Sequence, residues 1–227
     1  MKKIQTITCC LFFLFTTSNI LAASKVELDN ANTDIGDKQS LKNGFELFTG
    51  YCLSCHSIKF SRYSTIANDL DIDDNYLKNN LLFGDRKVGD TIKSPMLEKY
   101  ANKWFGLNPP DLSLIARSNG VDYIYTYLKS FYKDDSRPFG VNNKVLIGSS
   151  MPDVLSELRL SQSEKEFDKN VRDITNFLDY VGEPAKIIRT KIGYYVLGFL
   201  FVLLIFSYLL KKEYWKDVKY GKWRQKK

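Results

Sequence analysis

Histidine is all but missing from this sequence: His56 is the only one in 227 residues. Cysteine is scarce as well, and two of the four, Cys9 and Cys10, lie in an apolar N-terminal run. There are three methionines and six prolines. These shortages exclude several chemistries. A closed zinc site needs four Cys or His ligands; once Cys9 and Cys10 are set aside with the N-terminal run, Cys52, Cys55 and His56 have no second cysteine pair and no further histidine to complete one. No stretch alternates convincingly with period two, so a large sheet is not expected. No internal repeat and no low-complexity tract appears.

The net charge of +7 would suggest nucleic acid if it were evenly spread. It is not. Lys211 to Lys227 carries +6, Lys2 and Lys3 add +2, and residues 4–210 sum to −1. Basic residues gathered beside apolar runs at the two ends describe membrane topology, so nucleic-acid binding is set aside. Met1-Lys2-Lys3, the apolar core Ile7 to Phe15 and the small residues Ala22, Ala23 and Ser24 read as a secretory signal. An uncleaved N-terminal anchor is the other reading, and it exports the same domain. Ile192 to Leu210 is a run of 19 residues without a charge, enough to span a bilayer as a helix. It ends at Lys211-Lys212, and Tyr194, Tyr195, Tyr208, Tyr214 and Trp215 sit near its ends as interfacial anchors. The expected division is a signal peptide over 1–23, an exported domain over 24–189, a transmembrane helix over 190–211 and a cytoplasmic basic tail over 212–227.

Within the exported part, residues 24–38 read as a loose polar lead-in. Short helices are expected over 41–51 and 74–83, and another over 121–132. The clearest helix is 164–181, where Phe167, Val171, Ile174, Phe177 and Val181 form one stripe, Ser161 or Ser163 begins a capping box, and Gly182 and Pro184 end it. Long loops over 59–73, 84–95 and 133–150 remain. Loops of that length in a compact domain imply something to wrap.

Cys52-Leu53-Ser54-Cys55-His56 says what that is. Cys-x-x-Cys-His is the attachment pattern of a c-type haem. Two thiols three positions apart on one helical turn reach the two vinyl groups of one porphyrin edge, and the adjacent imidazole then lies under the iron. His56, being the sole histidine, is the proximal ligand. A thiol–disulfide oxidoreductase also uses Cys-x-x-Cys, but in a βαβ context that the pattern does not offer. The fold class is therefore mainly α: a class I-like cytochrome c haem domain with long loops, plus one C-terminal transmembrane helix.

A methionine as sixth ligand suits an electron-transfer haem, because His/Met ligation raises the potential. Met151, in Gly148-Ser149-Ser150-Met151-Pro152, is favoured over Met96, for which packing is the plainer role. In Pro109-Pro110-Asp111-Leu112, either a backbone carbonyl accepts from the free ring N–H of His56, or the prolines precede a helix that starts near Asp111. Arg117 is a candidate to neutralise a haem propionate. Acidic clusters at residues 69–74, 134–135 and 164–168 read either as solvated surface or as a steering field for a basic partner.

Phe48 to Ser57 (FTGYCLSCHS), Trp104 to Arg117 (WFGLNPPDLSLIAR), Asp122 to Tyr132 (DYIYTYLKSFY), Met151-Pro152 and Lys211 to Val218 (KKEYWKDV) occur in the order seen in cytochromes c1. The chain resembles that family, the haem subunits of bc1 complexes, in its proteobacterial form, over nearly its whole mature length. The resemblance implies one covalent haem c on Cys52 and Cys55, with His56 and Met151 as axial ligands. It places Pro110 against the His side of the haem and Tyr123 near a propionate. The implied partners are cytochrome b and a Rieske iron–sulfur protein in a dimeric complex, membrane lipid, and a cytochrome c as electron acceptor. The implied setting is the bacterial inner membrane with the haem domain in the periplasm. A free-standing anchored cytochrome serving a terminal oxidase is the alternative. Asn119 stands where many members have a second basic residue, and Asp153 where members often have a histidine.

Overall fold

The computed structural model describes residues 26–219. The expected signal peptide, with Cys9 and Cys10, lies outside the described residues, as does the end of the basic tail.

Two helices build the core. The first, α1 (Lys38–Leu47), is capped by Asp37, whose carboxylate accepts from the backbone N–H groups of Gln39 and Ser40. The second, α8 (Glu164–Gly182), starts with the capping box formed by Ser163 and Glu166. Its stripe of Phe167, Val171, Ile174, Phe177, Leu178 and Val181 is buried. The two helices cross at Gly44, where a Cβ would stand 2.0 Å from the carbonyl oxygen of Asp173. Only glycine permits that approach. Phe45 then stacks on Phe177 at 5.2 Å, and Phe48 tilts against the same ring at 5.7 Å. Each such side chain contributes roughly 1.5–3 kcal/mol by leaving water.

Between them run α2 (Tyr63–Asp69), α3 (Asp74–Tyr76, extended by a wider turn to Leu81), α4 (Glu98–Phe105), α5 (Ile115–Asn119), α6 (Val121–Lys129) and α7 (Ser156–Ser161). Two antiparallel pairs complete the domain: β1 (Ile58–Arg62) with β2 (Thr91–Ile92), and β3 (Phe131–Lys133) with β4 (Val141–Asn143). In the second pair Phe131 faces Asn143 and Lys133 faces Val141. The segments expected as long loops therefore hold most of β1, α2, β2 and β4, and the helix expected over 121–132 ends at Lys129, where β3 takes over from Phe131. The architecture is mainly α, as expected from the sequence.

The N-terminal lead-in is not loose. Ala31 is fully buried, its N–H donates to Asp122 at 2.8 Å, and its carbonyl accepts from Arg172 at 3.1 Å. The N–H of Asp29 donates to Thr126 at 2.8 Å. Side chains of α6 and α8 thus satisfy an extended backbone that has no hydrophobic period of its own.

After Glu183 the chain enters α9 (Lys186–Lys219), roughly 50 Å long at 1.5 Å per residue. The most apolar 18 residues within its stretch Ile188–Lys216 have mean hydropathy 2.2 and are not covered by the domain. It is the one helix among the described residues long and apolar enough to cross a membrane.

Candidate cofactor cleft

Helix α1 continues without a break into a π-helical turn, Phe48–Cys52, closed by the Leu53 N–H on the Phe48 carbonyl at 2.9 Å. Turns of this kind concentrate at functional sites. Phe48, Thr49 and Leu53 are buried and fix the turn on the core. The carbonyl of Cys52 then accepts from the N–H groups of both Cys55 (3.1 Å) and His56 (2.8 Å). One helical turn thereby gathers the whole Cys-x-x-Cys-His pentad.

Nδ1 of His56 lies 2.8 Å from the carbonyl oxygen of Pro110. A carbonyl only accepts, so Nδ1 carries the proton and Nε2 presents its lone pair. Burial pushes the imidazole pKa down, against smaller upward effects of the Pro110 bond and of Asp111. A neutral ring with a bare Nε2 is the form that binds a metal. The prolines do not open a helix at Asp111, because the next helix, α5, begins only at Ile115. Asp111 is held otherwise, its two carboxylate oxygens accepting from the N–H groups of Ser113 and Lys59.

Cys52, Cys55 and His56 line an apolar cleft that is partly open to solvent. Phe105 and Leu107 enter it from the end of α4, Pro109 and Pro110 from the following turn. Ser150, Met151 and Pro152 close it from the loop after β4. No charged side chain is in this wall. Met96 is not in it either; its N–H donates to the Ser94 hydroxyl, just before α4. An imidazole with a free lone pair, a thioether and two thiols facing an apolar cleft fit a haem, a large flat apolar group with an iron at its centre.

Thiol chemistry fits badly. Burial, with a smaller effect from Cys55, pushes the Cys52 thiol up to about 12, whereas redox-active Cys-x-x-Cys thiols are held low. Zinc also fits badly, since among the described residues no group of three His, Cys, Asp or Glu side chains could share a metal ion.

Arg117 and Tyr123 are not in the cleft wall. The guanidinium of Arg117 pairs with Glu183 at 3.2 Å, beside the end of α8. Tyr123 stacks on Tyr127 at 6.2 Å. Asp153 is bound to Arg159 at 2.8 Å, and that guanidinium also reaches the carbonyl of Leu128 and lies over the Phe167 ring.

A profile of the Cytochrome C1 family matches residues 30–218. The chain belongs to the cytochrome c1 family. It is 46% identical to a cytochrome c1 of Allochromatium vinosum, over 91% of this chain and 96% of that one. It is 38% identical to a Nitrosomonas europaea protein named ammonia monooxygenase gamma subunit, over 87% and 91%. Identity to a cytochrome c1 of Blastochloris viridis is 26%, over 82% and 83%. In this cytochrome c1 chain the aromatic wall of the cleft continues outward. Phe105 meets Phe139 at 5.4 Å and Trp104 edge-on at 6.5 Å, and Trp104 stacks on Tyr100 at 5.7 Å. Trp104 and Phe139 are exposed. Sequence reasoning missed this rim, although the aromatic run in Trp104-Phe105 was visible.

The acidic clusters have local employment. Asp69 accepts from the Tyr180 hydroxyl at 2.6 Å, Asp71 pairs with Lys38, and Asp73 caps α3. Asp134 accepts from Ser136 and Asn142, Asp168 from Lys129, and Glu166 completes the capping box.

Proposed function

We propose that this chain is the monohaem electron-transfer subunit of a quinol–cytochrome c reductase. The observation that carries the proposal is one apolar cleft, in a chain of the cytochrome c1 family, that unites Cys52, Cys55, His56 and Met151. In this reading Cys52 and Cys55 hold one haem c through thioether bonds. His56 and Met151 would hold its iron, and Pro110 would pack on the His side while fixing the ring through its carbonyl. The bound iron supplies a one-electron couple. With His56 and Met151 both holding the iron, the chain would move electrons and make no bond in a substrate. Tyr123 and Arg117 are kept as propionate partners, Arg117 being also paired with Glu183.

Electrons arrive from a Rieske iron–sulfur protein and leave to a cytochrome c, in a dimeric complex with cytochrome b. The exposed Trp104 and Phe139 beside the cleft suit close, largely apolar contact with such partners. Residues 1–23 act as the signal peptide, 24–189 form the periplasmic domain, 190–211 cross the inner membrane among its lipids, and 212–227 remain in the cytoplasm. The basic residues after Leu210 support that orientation.

Purification in mild detergent tests the assignment. A dihaem cytochrome b and a Rieske protein should accompany the chain, and the preparation should reduce cytochrome c with quinol. Isolation with a terminal oxidase and without cytochrome b would favour a free-standing anchored cytochrome instead.

A further inference from the structure

The loop that brings Met151 to the cleft has little apolar anchorage ahead of Met151 itself, which packs partly buried against the core. Leu146 and Ile147, just before it, are exposed, Ile147 by 80%. Gly148 is at φ +83°, a conformation that favours glycine. The loop is held instead by polar groups from other segments. Nη2 of Arg137, in the β3–β4 turn, donates to the carbonyls of Gly148 at 2.6 Å and Ser149 at 3.2 Å. The buried side-chain carbonyl of Asn142, on β4, accepts from the Gly148 N–H at 2.9 Å. The hydroxyl of Tyr127, on α6, shares a 2.7 Å bond with that of Ser149. Ser149 in turn accepts from the Met151 N–H at 3.2 Å. The backbone on the approach to Met151 is therefore fixed by side chains of a hairpin and a helix, with no help needed from a sulfur–iron bond.

We propose that Arg137, assisted by Asn142 and Tyr127, is a positioning residue for the sixth iron ligand, clamping the Gly148–Met151 loop over the cleft. This rests on the reading that Met151 binds the iron. A thioether is a neutral and comparatively weak ligand, so its occupancy depends on how far the loop is held in place beforehand. The two hydrogens of the single Nη2 nitrogen reach two neighbouring carbonyls from a rigid planar group, whereas a lysine ammonium is a point charge on a flexible stem. Hydrogen bonds from a charged donor each shift an equilibrium by roughly ten- to a hundredfold. Loss of the clamp should raise the fraction of time the loop is open by about tenfold or more.

The experiment uses the full chain in its native membranes, with Arg137→Lys, Arg137→Ala, Tyr127→Phe and Met151→Leu compared with the parent. Covalently attached haem is quantified first. Carbon monoxide binding to the ferrous form is then titrated, since the gas reports an iron whose sixth position has opened. The Arg137 variants should carry normal haem yet show a CO-reactive fraction about tenfold above the parent, together with a lowered midpoint potential. Tyr127→Phe, which removes one hydroxyl, should move both readouts the same way by less. Parental CO reactivity and potential in both Arg137 variants, at normal haem content, would overturn the clamp. If the Arg137 variants lost their haem outright, an unchanged Tyr127→Phe would overturn it equally. Met151→Leu separates the two readings: absence of CO binding there would mean that Met151 is not the ligand, whatever Arg137 does.

Discussion

The proton on Nδ1 of His56 is held by the carbonyl oxygen of Pro110, 2.8 Å away. This bond decides which nitrogen faces the cleft and makes the imidazole a stronger donor. Pro110 is followed by Asp111, whose carboxylate is tied to β1 and to Ser113, so the carbonyl is carried by a braced turn.

Loosening that turn should raise the potential. In Pro110→Gly the rigid φ is lost and the hydrogen bond weakens. A poorer imidazole donor stabilises ferric iron less. The expected rise is on the order of 60 mV or less, tenfold at most in a one-electron equilibrium. Redox titration of the attached haem measures it, and a fall in potential would count against the role given to Pro110.

The crossing of α1 and α8 should tolerate no side chain at Gly44. An alanine there meets the Asp173 backbone and the Phe177 Cβ at once. Neither is the end of a flexible side chain, so the helices themselves must part. The cost should reach about 3 kcal/mol or more. Thermal unfolding of the haem domain would show it as a lowered midpoint, and Gly50→Ala, where a Cβ meets nothing, serves as the comparison.

The β3–β4 turn should weaken in acid. Bonds from the Ser136 hydroxyl, the Asn142 amide and the Ser136 N–H hold the Asp134 carboxyl below its ordinary value. A carboxyl whose folded pKa is depressed contributes stability fully above its unfolded pKa, and that contribution fades as pH falls through the folded one. Asp134→Ala should therefore be less stable than the parent at neutral pH, and the two should converge at pH values below the carboxylate range. Denaturant titrations at several pH values follow the difference; a gap that stayed constant into acid would contradict the assignment.

Legibility in the sequence followed length and periodicity. Helix α8 was readable because an apolar stripe, a capping box and a Gly-x-Pro stop all agree over 19 residues. The membrane helix was readable because its composition is unbroken. The strands were not, since the longest has five residues and buries only Ile58 well. The lead-in expected to be loose over 24–38 is held, in its described part, by Asp122, Thr126 and Arg172, which lie far away in the chain and leave no local signal. Cys52, Cys55 and His56 were fixed by the pentad and Met151 by its small neighbours, and all four line the cleft. Arg117 gave no sequence signal of its pairing with Glu183, and Arg137 gave none of its hold on the Gly148–Met151 loop.

Truncation before the membrane helix should release the domain. Lys186 pairs with Asp179 and Arg189 with Glu183, so a chain ending just after Arg189 keeps the contacts that close α8. It should be exported, carry haem and remain in the soluble fraction. A truncated domain that still pelleted with membranes free of cytochrome b would place an anchor elsewhere.

The central claim is that His56 and Met151 together hold a haem iron poised for electron transfer. Redox titration of the attached haem in Met151→Leu and Met96→Leu, side by side in native membranes, tests it most directly. Loss of the thioether removes the ligand that favours ferrous iron. The Met151 variant should keep its haem at a much lower midpoint potential, and the Met96 variant should match the parent. A fall in the Met96 variant with no change in the Met151 variant would contradict the account.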